Sequence, residues 1–242
     1  LLSGSPAGRS PNRGGSVVSD ESRSGRRRGG PQARFPTLRT GSEVRARDAV
    51  EPRVWLVELD RLAGPLQPLV AALSPEERQR AARIADDRWR ARWQTAHAAL
   101  RLVLARRLTL PPAAIGFAYG RRGKPVLARG GQDIAFSLAH SGPWAAIAVA
   151  PGPTVGVDIE RLRPRADPAP LAAALLTAAE RRRLLGLAPA ARNHALLSAW
   201  TRHEAQRKAT GLGLDDGGPG RLAGASAGAW HVHDVALPPG LV

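Results

Sequence analysis

The chain has 242 residues, of which 43% are hydrophobic but only 4% aromatic, with no Cys, no Met and a formal net charge of +16. That length holds one large domain or two small ones, and the missing cysteines exclude a disulfide framework, a thiolate metal site and a cysteine nucleophile, so any metal must be held by carboxylates or His. The longest apolar stretch, 144–149, falls far short of the roughly 20 residues of a membrane-spanning helix; with no charged head and apolar run opening the chain, the expectation is a soluble, cytoplasmic protein without a membrane partner.

Residues 1–51 are rich in Gly, Ser, Pro and Arg, with the run Ser24-Gly25-Arg26-Arg27-Arg28-Gly29-Gly30-Pro31. Such a composition buries too little apolar surface to offset its ordering entropy, so a disordered N-terminal extension is expected. Residues 1–50 contain 10 Arg and 4 acids, which puts +6 of the net charge in this stretch and spreads the rest thinly. The Arg surplus suits a polyphosphate, an anionic cofactor or an acidic protein. A basic nucleic-acid-binding protein is the alternative it raises, and no RNA-binding aromatic motif accompanies it.

Folded structure is expected from Val54, where Val54-Trp55-Leu56-Val57-Glu58-Leu59 reads as a buried strand. Ser74-Pro75-Glu76-Glu77 supplies an N-cap, Pro at the first helical position and Glu three residues after the cap. Trp89, Trp93, Ala96, Leu100 and Leu108 follow at helical spacing, which predicts one helix running to Leu108 and stopped by Pro111-Pro112. Strand-like segments at 115–119, 125–127, 134–138, 144–149 and 154–159 are separated by Gly and Pro turns. Thr177-Ala178-Ala179-Glu180 forms a second capping box, and Pro189 opens a last helix that ends at Gly211. Helix, strands and helices again predict an α+β protein of two similar halves.

Strand periodicity in Gly156-Val157-Asp158-Ile159-Glu160 sends Val157 and Ile159 to one face and both carboxylates to the other. Paired carboxylates repel unless a cation or a proton relieves them, and hard oxygen ligands select Mg²⁺; the other reading is the solvated face of an edge strand. On the last helix Trp200, Glu204 and Lys208 share a stripe at i, i+4 and i+8, either as a third metal ligand beside a cation or as a surface ion pair. Phe136-Ser137-Leu138-Ala139-His140-Ser141-Gly142 is a strand whose Gly turn exposes a His. Gly224-Ala225-Ser226-Ala227-Gly228 matches a nucleophile elbow only in its letters, since no strand precedes it and no His follows Asp234, so a serine hydrolase is discounted.

Taken together, Gly123-Lys124-Pro125, residues 136–142, Gly156-Val157-Asp158-Ile159-Glu160 and the run from Trp200 through Glu204-Ala205 and Lys208-Ala209 to Gly211-Leu212-Gly213-Leu214 resemble the 4'-phosphopantetheinyl transferases of the Sfp type. The likeness spans residues 52–237. It implies two subdomains, 52–153 and 154–242, related by pseudo-twofold symmetry, each a small mainly antiparallel sheet packed with helices. The active site would lie in the cleft between them, in a pseudo-dimeric monomer. The implied reaction, of the holo-[acyl-carrier-protein] synthase type, moves phosphopantetheine from coenzyme A to a serine of an acyl or peptidyl carrier protein in fatty acid, polyketide or nonribosomal peptide biosynthesis. Implied metal ligands are Asp158, Glu160 and Glu204. Coenzyme A would be held by Arg80, Arg92, Lys124, His140, His203 and Lys208, and catalysis would fall to Glu204, Lys208 and His140.

The chain departs from the family pattern at three points. His203 replaces a usual Lys, so a fixed cation becomes a group that titrates near neutrality. Ala139 replaces a Ser and Ser137 an Asn. The sequence stops at Val242, where the last strand of the second sheet would begin, so an incomplete second sheet is expected. These departures raise a second alternative, a degenerate member that binds coenzyme A without turnover.

Overall fold

A computed structural model describes residues 52–62, 66–121, 123–128, 133–152, 154–163, 167–211 and 231–242. The expected disordered extension 1–51, the discounted elbow 224–228 and the motif residues Leu212-Gly213-Leu214 lie outside the described residues.

Strand β1 (Arg53–Glu58) leads into two short helices that sequence periodicity does not reveal, α1 (Leu59–Leu62) and α2 (Leu66–Ala71). The single helix expected from Ser74 to Leu108 is two, α3 (Pro75–Ala82) and α4 (Asp87–Leu108). The break has a local cause. Asp86 takes an extended conformation and its carboxylate accepts from Trp89 N–H, capping a new helix. The Ser74–Glu77 capping box of α3 is formed as its sequence predicts. α4 ends where Thr109 turns left-handed at φ 55°, and one 3₁₀ turn at Pro112–Ala114 follows.

Next come β2 (Phe117–Tyr119) and β3 (Pro125–Leu127), a two-stranded antiparallel hairpin, then β4 (Ile134–Ser141) and β5 (Trp144–Pro151). β4 and β5 are joined by Gly142-Pro143, with Gly142 at the positive φ of 58° that a two-residue hairpin turn calls for. The main sheet runs β1-β5-β4, antiparallel throughout.

Alternation gives this sheet two buried faces. Val57, Phe136, Ala145, Ile147 and Val149 pack against Ala96, Leu100, Val103 and Leu104 of α4. The opposite face offers the smaller Ala139, Ala146 and Ala148, which meet Val157, Ile159 and Leu241. Small side chains there let an extended segment lie flat on the sheet.

Arg101 of α4, only 2% exposed, fastens this half. Its Nε donates to Glu77, its Nη1 to the carbonyls of Pro112 (2.8 Å) and Ile115 (2.9 Å), and its guanidinium lies 4.9 Å from the Phe117 ring centroid. Burial pushes Glu77 up, but the bonds from His97, Arg101 and the Ser74 amide outweigh it and hold the carboxyl below its ordinary value. A buried pair so fully hydrogen-bonded fixes which elements meet.

Beyond β5 the structure corrects one sequence expectation. Among the described residues, 154–159 form no ladder strand; just beyond them the backbone pairs at the Arg161–Leu241 bridge, with Glu160 and Val242 exchanging hydrogen bonds at 2.7 and 2.9 Å and Leu162 N–H donating to Gly240 O at 2.9 Å. Side chains of β4 take the amide donors instead. Ser137 Oγ accepts from Val157 N–H at 3.2 Å and Ser141 Oγ from Arg161 N–H at 3.1 Å, so hydroxyls four residues apart hold amides four residues apart. The helices α5 (Ala169–Leu175), α6 (Ala178–Leu185) and α7 (Pro189–Thr210) follow. α6 has the predicted Thr177–Glu180 capping box, and α7 begins at Pro189 and ends at left-handed Gly211, φ 70°. Among the described residues the fold is thus α+β, with small antiparallel sheets confined to residues 53–151 and helices dominating the remainder.

The 154–162 segment meets α7 at a point where only glycine fits. A Cβ on Gly156 would stand 1.8 Å from Ala205 O and 2.6 Å from Ala209 N. Both obstacles are helix backbone, which cannot rotate aside. Gly156→Ala is expected to destabilise the protein by more than about 3 kcal/mol in urea unfolding; an unchanged midpoint would show that the helix does not seat there.

Candidate functional site

The seat at Gly156 places the next residues of the segment under α7. Val157 and Ile159 are buried against the sheet, and Asp158 turns the other way, towards the helix. Its Oδ1 accepts from Lys208 Nζ at 2.5 Å. Asp158 Oδ2 and Glu204 Oε1 are both buried with no hydrogen-bond partner among the described residues. Glu160 is held differently, its Oε2 accepting from Ser141 Oγ at 2.7 Å.

These groups share one electrostatic environment. Burial pushes the Asp158 carboxyl up to about 6, with the negative charges of Glu160 and Glu204 adding to the rise and Lys208 opposing it. His140 is shifted down, chiefly through lost hydration, with Lys208 and His97 acting in the same sense and Glu160 against it. Its ring meets Trp89, in the first turn of α4, edge-on at 4.9 Å between centroids. Asp158 thus feels the charges of Glu160, Glu204 and Lys208, and His140 those of Lys208 and Glu160.

A carboxylate is an acceptor only, and two buried carboxylate oxygens without donors are costly unless a cation or proton satisfies them. Among the described residues no three His, Asp or Glu side chains form a ready-made metal cage. Lys208 on Asp158 and Ser141 on Glu160 hold one oxygen of each acid, which leaves Asp158 Oδ2 and Glu204 Oε1 as the pair with unfilled coordination. Hard, charged oxygens of this kind fit Mg²⁺.

The other sequence-predicted positions are more scattered. Arg92 donates through Nε and Nη2 to the two oxygens of Asp60, both at 2.7 Å, and Asp60 also accepts from Arg88 at 3.0 Å. The Arg92 fork, with Arg88, holds the Asp60 carboxyl well below the usual carboxylate range. Arg80 is exposed, with its guanidinium 5.8 Å from the centroid of Trp93. His203 lies beside Glu204 on α7, and burial together with Arg207 lowers its pKa, so it is neutral at pH 7 rather than a standing cation. Lys124 Nζ points to the end of α7, donating to Ala209 O at 2.7 Å.

Several contributors escaped the sequence reading. Asp60, Trp89 and Thr154 belong to no motif, and only their contacts reveal them. Ser141 did stand in a quoted motif, and a hydroxyl next to an exposed His was the available signal.

Comparison with known proteins gives this constellation a family. The profile of the 4'-phosphopantetheinyl transferase superfamily matches residues 154–226, the stretch that carries Asp158, Glu160, Glu204 and Lys208. The 4'-phosphopantetheinyl transferase HetI of Nostoc is 34% identical over 166 residues, covering 68% of this chain and 70% of HetI. The chain belongs to the 4'-phosphopantetheinyl transferase superfamily. A Synechocystis relative, slr0495, whose name carries the same activity as a provisional assignment, is 35% identical over 169 residues, 69% of this chain and 68% of its own length. The phosphopantetheinyl transferase AcpT of Salmonella typhi is 34% identical over 111 residues, 46% of this chain and 56% of AcpT.

The raised pKa of Asp158 has a stability consequence with a definite sign. Its neutral form is favoured on folding, so the contribution is present below about pH 4 and lost as pH rises through about 6. In metal-free buffer Asp158→Asn is expected to gain on the parent by about 2–3 kcal/mol between pH 4 and pH 7.5. Chemical denaturation of both proteins across that range checks it; a pH-independent difference would mean that Asp158 is not held neutral.

Proposed function

We propose that this phosphopantetheinyl transferase moves the 4'-phosphopantetheine arm of coenzyme A onto a serine hydroxyl of an acyl or peptidyl carrier protein and releases adenosine 3',5'-bisphosphate. The observation that carries the reading is the pair of buried, donor-less carboxylate oxygens on Asp158 and Glu204 beside the Lys208 ammonium. An anionic diphosphate needs cations, and a buried carboxylate pair needs one as well.

Asp158, Glu160 and Glu204 would hold Mg²⁺, which when bound would neutralise the charge on the diphosphate of coenzyme A. The residues of the chain do the rest. The carrier serine oxygen bonds to the phosphorus on the pantetheine side, the bond from that phosphorus to the bridging oxygen breaks, and the leaving bisphosphate departs with the electron pair. Glu204 takes the serine proton, through the carboxylate oxygen that is not given to the metal. Lys208, released from Asp158, and His140 would face the oxygens on which negative charge develops, where preorganised donors act most strongly. His140 is shifted towards its neutral form, so it would serve as a hydrogen-bond donor rather than a charge.

Arg92, Arg80 and His203 would contact the rest of the cofactor. The Arg92 guanidinium is already oriented by Asp60, which leaves its remaining N–H groups for a phosphate. The neutral His203 gives weaker phosphate attraction than a Lys. The same reading takes the cofactor into a cleft between pseudo-symmetric halves 52–153 and 154–242 of a monomer working in the cytoplasm.

Incubation of the purified chain with coenzyme A, Mg²⁺ and a panel of apo carrier proteins is expected to add one phosphopantetheine mass to at least one carrier. Cofactor binding with no mass added to any carrier would support the degenerate reading and overturn this one. Glu204→Gln and Asp158→Asn are each expected to cut transfer by at least about a hundredfold with unchanged circular dichroism, and wild-type rates in either would remove that residue's assigned role.

A further inference from the structure

The family resemblance assigns Lys124 to the 3'-phosphate end of coenzyme A, but its ammonium is engaged elsewhere. Nζ donates to Ala209 O at 2.7 Å and lies 3.4 Å from Val155 O. Ala209 is in the last turn of α7, among the carbonyls that an α-helix leaves without internal partners. The same carbonyl also accepts from Thr154 Oγ1. The aliphatic stem of Lys124 covers Gly211, its Cδ 3.5 Å from where a Cβ on that left-handed residue would stand. Lost hydration lowers the lysine pKa, as expected of an ammonium whose water has been replaced by carbonyls.

Three separate pieces of chain thus meet at one helix end: the β2–β3 hairpin through Lys124, the 154–156 segment through Thr154 and Gly156, and α7 itself. A cation at a helix C-terminus satisfies orphan carbonyls and complements the helix dipole. The helix held this way carries Glu204 and Lys208 within its last two turns. Any slack at Ala209 would displace both groups from Asp158.

We infer that Lys124 is a positioning residue that locks the C-terminal end of α7 against residues 154–156, setting the placement of Glu204 and Lys208, and that it is not a ligand of the 3'-phosphate. The inference rests on the transferase reading above for its kinetic part and on geometry alone for its structural part.

Lys124→Met keeps the stem and removes the donor; Lys124→Arg keeps a donor and a cation. With coenzyme A and with 3'-dephospho-coenzyme A as parallel substrates, Lys124→Met is expected to lower kcat by about tenfold on both, with KM little changed, and Lys124→Arg to restore most of it. Amides 207–211 of the full-length Met variant should exchange with deuterium faster than in the parent. A loss confined to KM for coenzyme A, sparing the dephospho form, would make Lys124 a phosphate ligand and overturn the inference. A lowered melting temperature with kcat and amide exchange unchanged would overturn it as well. If the parent chain transfers nothing, the functional reading fails, while the exchange result still decides whether Lys124 locks the helix.

Discussion

The close approach of the backbone at Gly156 to the backbone of α7 is the constraint on which the site depends. With no Cβ between them, the extended segment and the helix lie close enough for Lys208 to reach Asp158 at 2.5 Å. Ala205 and Ala209 belong to the same fit, because a larger side chain on that helix face would separate the two backbones. Gly156 and the acids beside it are therefore linked: the glycine sets the distance at which Asp158 and Lys208 meet.

Around that contact the sheet works as a spacer. Its α4 face is filled with Ile, Val, Leu and Phe, whereas its other face sets Ala139, Ala146 and Ala148 beside Val54, Leu56 and Trp144, and the 154–162 segment packs there. Ser137 and Ser141 then align that segment through its amides, and Ser141 also restrains Glu160. A regular β ladder would hold the segment too, but it would not tie a carboxylate and an amide through one hydroxyl. Trp89 carries the linkage across to α4, where its indole steadies His140. The hydroxyl and the indole bring residues from both sides of the sheet to the same charged groups.

The electrostatics of these groups are dominated by buried carboxylates. Two carboxylate oxygens are left without donors, and the burial that isolates them also raises Asp158 to about 6. The ion pair with Lys208 opposes that rise without cancelling it. Arg101 and Glu77, by comparison, are buried charges whose hydrogen bonds are met.

The sequence by itself determined what depends on neighbours along the chain. Ser74 and Thr177 cap their helices, Gly211 ends α7, strands form at 134–138 and 144–149 where the sequence predicts them, and Asp158 faces away from Val157 and Ile159, because capping and pleating act over a few residues. Order and spacing of the motifs were enough to indicate the family. Only the tertiary structure decided the rest. Periodicity ran straight through 83–86, where the Asp86 cap starts a new helix, and strand propensity at 154–159 did not reveal that serine hydroxyls would take the place of a ladder. Nor could spacing show that Lys124 reaches Ala209, 85 residues away, or that Asp60 orients Arg92. Such contacts arise from how elements pack, and packing is fixed by the shapes that meet, down to one missing methyl group at Gly156.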